Sequence, residues 1–114
     1  MSNAVVYSVP RFAELKEAGT QGFVLQVAPG QGVRVGVLEL REGVPMSRDY
    51  ECYSLLLVLP LGVIPVQGVF NLFGPGRDQP WQLMMTPLMP EPDGRQVLEA
   101  VVQYKRQVAD NTTI

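Results

Sequence analysis

The stretch from Tyr50 to Val58, Y-E-C-Y-S-L-L-L-V, constrains the fold of this chain more than any other. It opens with polar residues in alternation and ends as an unbroken apolar run leading into Leu59-Pro60. Such composition favours a pleated strand. Apolar residues at consecutive positions further require cover on both faces of that strand. The stretch predicts a small β protein with one central strand buried on both sides, and it carries no catalytic signature.

Flanking segments repeat with the same period of two. Phe23, Leu25 and Val27 share a face opposite Val24 and Gln26, and Pro29-Gly30-Gln31-Gly32 turns the chain into a hairpin. On the return strand Val33, Val35, Val37 and Glu39 form one row, and Arg34, Gly36, Leu38 and Leu40 the other. A glycine inside a strand, here Gly36, marks a bend or a close approach of backbone. Glu42 to Arg48 is a polar loop, and Leu61 to Val66 is broken by proline and glycine into another. Val66 to Phe73 sets Val69, Asn71 and Phe73 against Phe70 and Leu72. Past a loop tip at 74–78, Trp81, Leu83 and Met85 oppose Gln82, Met84 and Thr86. Past a turn at 90–94, Val97, Glu99 and Val101 oppose Leu98, Ala100, Val102 and Tyr104. About six strands separated by turn signals define an all-β fold, an antiparallel barrel or sandwich. The one helical candidate runs from Ser8 to Gly19, with Ser8 as cap, Pro10 in the first turn and Gly19 as stop. It reads as a short plug over one end of the sheet.

A chain of 114 residues fits one domain with its own core. Residues 1–7 read as a disordered or tag-derived start, 8–106 as the domain, and 107–114 as a mobile tail. With 46% hydrophobic and only 18% charged residues, few charged side chains are left to cover the outside. A second copy or another protein is expected to cover part of it. Nine basic residues are scattered through a chain of net charge −2, with Lys105-Arg106 the only close pair, which argues against nucleic acid. The most apolar window, 55–66, is interrupted by Pro60, Gly62 and Pro65 and is too short to span a bilayer. The start lacks the pattern of a signal peptide. One cysteine, Cys52, permits no intrachain disulfide, so a reducing, cytoplasmic setting is expected.

Several segments together resemble a family of short bacterial β-rich proteins of unknown function. They are Arg-Phe-Ala-Glu-Leu from Arg11, Phe-Val-Leu-Gln-Val from Phe23, Val-Leu-Glu-Leu from Val37, Tyr-Glu-Cys-Tyr-Ser-Leu-Leu-Leu from Tyr50 and Leu-Glu-Ala-Val-Val-Gln-Tyr from Leu98. The corresponding family elements are F-x-x-L-x-G, L-x-L-x-E, F-S-L-x-F and Y-E-A-V-F-N. The chain departs from them at Ala18, Leu98 and Gln103. The resemblance spans most of 11–104 and implies a compact β fold, no established activity, and a link to phage-tail-like or collar proteins.

Among chemical groups, the absence of histidine removes Ser-His-Asp and Cys-His arrangements and His-containing metal sites. A single cysteine cannot build a thiolate cage. Gly30-x-Gly32 and Gly74-Pro75-Gly76 sit in hairpin turns, without the strand-loop-helix context of a phosphate cradle. Cys52 has acidic neighbours, Asp49 and Glu51, and no cation to activate it, so it reads as a small core residue. Glu39, Glu51 and Glu99 lie inside apolar strands. Glu39 and Glu99 could point inward as a general acid and base or as carboxylates paired with Arg34, Arg41 or Arg95, or outward into solvent; a one-residue slip of register exchanges these outcomes.

The methionines and remaining apolar residues give the preferred reading. With Trp81, Leu83 and Met85 inside, Met84 and Leu88 need other cover, as do Leu56 and Val58 opposite Leu55 and Leu57. The expected function is a non-enzymatic interaction or assembly module that buries Leu56, Val58, Val63, Ile64, Met84 and Leu88 against a partner, most simply a second copy, with no cofactor or metal. One alternative is an apolar-ligand binder with a cavity lined by Phe23, Leu57 and Trp81, although six strands leave an interior that side chains should fill. The other is a carboxylate enzyme built on Glu39 and Glu99.

Overall fold

The computed structural model describes residues 9–44 and 48–105. The expected cap Ser8, the start 1–7, Arg106 of the basic pair, the tail 107–114 and loop residues Pro45, Met46 and Ser47 lie outside the described residues. A helix α1 (Phe12–Ala18) precedes six strands, β1 (Phe23–Ala28), β2 (Gln31–Glu42), β3 (Tyr50–Val58), β4 (Gly68–Phe73), β5 (Trp81–Leu88) and β6 (Val97–Lys105).

The strands close into an antiparallel barrel of order β1-β2-β3-β6-β5-β4. Two three-stranded meanders, β1-β2-β3 and β4-β5-β6, join through β3·β6 on one side and β1·β4 on the other. The middle strand of each meander forms a corner. β2 pairs with β1 through Gln31–Val35 and with β3 from Gly36 onward. β5 pairs with β4 through Trp81–Met85 and with β6 through Thr86–Leu88. Strands that change partner partway are the means by which two crossed sheets share their edges. The β1·β4 seam is short, Val24–Gln26 against Phe73–Asn71. An amide ladder reinforces it from outside: Asn71 Nδ2 donates to Gln26 Oε1 at 2.7 Å, and Gln82 Nε2 donates to Asn71 Oδ1 at 3.2 Å.

Alternation decides what fills the interior. Phe23 and Leu25, Tyr53 to Leu57 at every second position, Leu72, Trp81, Leu83 and Met85, then Leu98, Ala100 and Val102 point inward and are buried together. At one open end α1 inserts Leu15 into this core. Tyr53 fastens the plug by donating its hydroxyl to the Pro10 carbonyl at 2.5 Å. The Phe12 N–H donates to Tyr104 Oη at 3.3 Å, and the Tyr104 hydroxyl donates to the Glu51 carboxylate.

Four details differ from the sequence expectations. The helix starts at Phe12, after Pro10, because Glu14 reaches back to accept the Arg11 N–H at 2.8 Å and thereby caps the first turn. The β1–β2 turn is shorter than expected: Gln31 and Gly32 already belong to β2, and a Cβ on Gly32 would lie 2.8 Å from Val24 Cγ1. β2 contains a bulge between Val37 and Glu39, so Leu38 has no partner across β3. Past it the faces exchange: Leu40 joins Val33, Val35 and Val37 against the core, and Glu39 turns out. Finally, β3 is fully covered on both sides at one position only. Leu56, on its outer face, is 9% exposed, while Cys52, Ser54 and Val58 on that face are half-buried.

Candidate interaction surface

The outer wall of β3, β6 and β5 carries the apolar residues that the barrel interior does not use. In-register pairing sets them in cross-strand rows. Gly36, Val58, Val97 and Leu88 form one row, and Glu39, Leu56, Glu99 and Thr86 the next. In a third row Arg41 faces Ser54, which faces Val101. On the β4–β5 side Val69 pairs with Met84. Val69 is 66%, Val101 64%, Met84 52% and Leu88 36% exposed. Cross-strand neighbours are about 5 Å apart, so Leu56, Val58, Val97 and Leu88 form a continuous apolar strip, in which Val97 and Leu56 are buried, Val58 is half-buried and Leu88 reaches the surface. Below Thr86 and Glu99 the ladder between β5 and β6 ends, which leaves Met84 with Val69 on one sheet and Val101 on the other.

Of the six residues singled out from the sequence, Leu56, Val58, Met84 and Leu88 come together on this wall. Val63 does not: it sits in the β3–β4 crossover and packs against the core. Ile64 occupies the same crossover rather than a strand of the wall and is exposed, as are Leu61 and Val66. Val69 and Val101 extend the surface and were missed, because Val69 follows a glycine in a short strand and Val101 sits between the core residues Ala100 and Val102. Their signal was periodic: each falls on the strand face opposite the core residues.

The paired glutamates are on the same wall. Glu39 and Glu99 both stand next to Leu56 in register, on opposite sides of it. Two strand spacings put their Cα atoms about 10 Å apart on a convex surface. Glu39 is half-exposed and forms an ion pair with Arg41 Nε at 3.4 Å. Cys52 faces outward opposite Gln103, half-buried rather than in the core. Gly43 packs so close that a Cβ on it would touch Cys52 Sγ at 3.0 Å.

At the plugged end the tyrosines are strongly perturbed. Burial first, then the neighbouring Tyr104, Glu14 and Glu51, hold the Tyr53 hydroxyl well above the usual tyrosine range. Burial, followed by its hydrogen bond to Glu51, raises Tyr104 in the same direction. Both groups face the helix rather than an open cleft. Inside the barrel Phe23 and Leu57 are fully buried, and neither lines any of the four clefts described; Trp81 touches only an outer one, where Arg77 stacks on its ring at 4.3 Å. Among the described residues, no three or more of Cys, Asp and Glu are grouped so as to hold a metal ion. No helix among them is long and apolar enough to cross a membrane. Comparison with family models, curated proteins and solved structures gives no match for this chain.

Proposed function

We propose that the chain is a non-enzymatic interaction module that self-associates through the outer wall of β3, β6, β5 and β4. The observation that carries this reading is the exposure of Val69, Met84 and Val101 beside the strip formed by Leu56, Val58, Val97 and Leu88. Exposed apolar side chains gathered on one side of a small barrel mark an interaction face, and such side chains form the core of a homodimer contact. Glu39, Glu99 and Thr86 supply polar groups within it, which orient one copy on the next. The family resemblance would set such a module in a bacterial, phage-tail-like assembly, and the single cysteine suits the cytoplasm. Light scattering on Val101→Lys and Met84→Lys beside the parent chain tests the proposal. Both substitutions should lower the mass to that of one chain without unfolding it; unchanged mass in both variants would remove this wall as the contact.

A further inference from the structure

The corner of β2 creates a second, chemically different site. Where β2 leaves β1 for β3, the wall opens into a groove of about 630 Å³ lined by Gln21, Val24, Arg34, Gly36, Val58 and Arg95 among others. That volume is in the range that holds a small molecule. The chain as a whole is acidic, with 11 carboxylate residues against nine basic ones, yet two arginines and no carboxylate line this groove. Arg95 is partly compensated: its Nε lies 2.7 Å from Asp93 Oδ2. Arg34 has no such partner among the described residues. The groove therefore holds close to one uncompensated positive charge, on a guanidinium whose fork matches a carboxylate. Val24, Val58 and Pro60 supply an apolar wall beside it.

Gly36, on the groove lining, is an independent pointer. Its φ is not in the left-handed region, and a Cβ built on it would meet Val58 Cγ1 at 3.5 Å and the Thr20 carbonyl at 3.7 Å, both ordinary contacts. Neither backbone conformation nor packing demands a glycine there. What the missing side chain does is keep the groove clear, with the Gln21 amide nitrogen 4.0 Å from that point as a donor.

From these features we infer that the β2-corner groove binds a small organic monoanion, a carboxylate on an apolar body, through Arg34 with Arg95 and Gln21 in support. The site meets the self-association wall only at Gly36 and Val58, and does not depend on it. Titration of the whole chain with 3-phenylpropionate, followed by amide NMR shifts, tests it. Saturable shifts are expected at Gln21, Gly36 and Leu59. The neutral 3-phenylpropionamide should bind about tenfold more weakly, as should Arg34→Gln toward the acid, reflecting one lost charge-assisted contact. Gly36→Ala should still bind, because its Cβ fits; Gly36→Leu should not. The inference is overturned if acid and amide bind alike, if Arg34→Gln binds like the parent chain, if inorganic phosphate saturates the same amides as tightly, or if the acid produces no saturable shift.

Discussion

Glu39 and Glu99 flank Leu56 in a single cross-strand row, one on β2 and the other on β6, both on the outer wall of the barrel. That row exists because the bulge at Leu38 rotates Glu39 out of the inward file of Val33, Val35 and Val37. Glu39 is exposed, Glu99 half-buried, and the two are far apart on the outer face, so their removal should matter little to folding. Glu39→Gln and Glu99→Gln are each expected to shift stability by no more than about 0.5 kcal/mol, the exposed Glu39–Arg41 pair included. Urea denaturation of the two variants checks this, and a loss of several kcal/mol from either would show a buried role.

The bulge itself should be dispensable to the barrel. Val37 pairs with Leu57 and Glu39 with Leu56, so Leu38 is the one extra residue in this ladder. Deleting Leu38 closes the ladder with Glu39 still outward and Leu40 still inward, and urea denaturation should show a change within about 1 kcal/mol. Leu55→Glu, which puts a carboxylate at a fully buried inward position, should instead cost on the order of 3 kcal/mol or more.

Tyr53 gives a prediction in pH. Its hydroxyl donates to the Pro10 carbonyl, and its folded-state pKa lies above the ordinary value of 10.0. The folded state thus holds the phenolic proton more tightly than the unfolded state does. Stability is complete below pH 10 and falls as pH rises above it, by up to about 1.4 kcal/mol per pH unit for this one group. Tyr104, raised in the same direction, adds to the slope. Tyr53→Phe is expected to cost about 1–2 kcal/mol at neutral pH, through the orphaned carbonyl, and to flatten the alkaline loss. Thermal melts from pH 8 to 11 measure both effects.

Methionine oxidation reads the register of β5 directly. Met84 is half-exposed on the outer wall while Met85 is fully buried. Under mild peroxide, peptide mass spectrometry should find Met89 and Met84 oxidised and Met85 intact. Met84 should be protected as protein concentration rises, since a second copy covers it.

The strand faces were legible because side chains alternate: Trp81, Leu83 and Met85, and Leu98, Ala100 and Val102, point inward as their spacing predicts. Turns marked by Gly74-Pro75-Gly76 and Pro90 to Gly94 were equally plain. The bulge was not, since Leu38 is an apolar residue in an apolar strand and leaves no mark until β3 lies beside it. Helix capping by Glu14 was hidden by the more conventional candidate Ser8. The wall could be half read: Met84 and Leu56 announced themselves, whereas Val69 and Val101 join them only once β6 is placed between β3 and β5. The β2-corner groove was out of reach altogether, because Arg34 and Arg95 meet through barrel closure and not through any local pattern.

Self-association through the outer wall is tested most directly by sedimentation equilibrium of the parent chain at tens of micromolar, beside Val101→Lys. The parent is expected at a multiple of 12.6 kDa and the variant at 12.6 kDa. A parent chain that sediments as a strict monomer at that concentration would contradict the proposal.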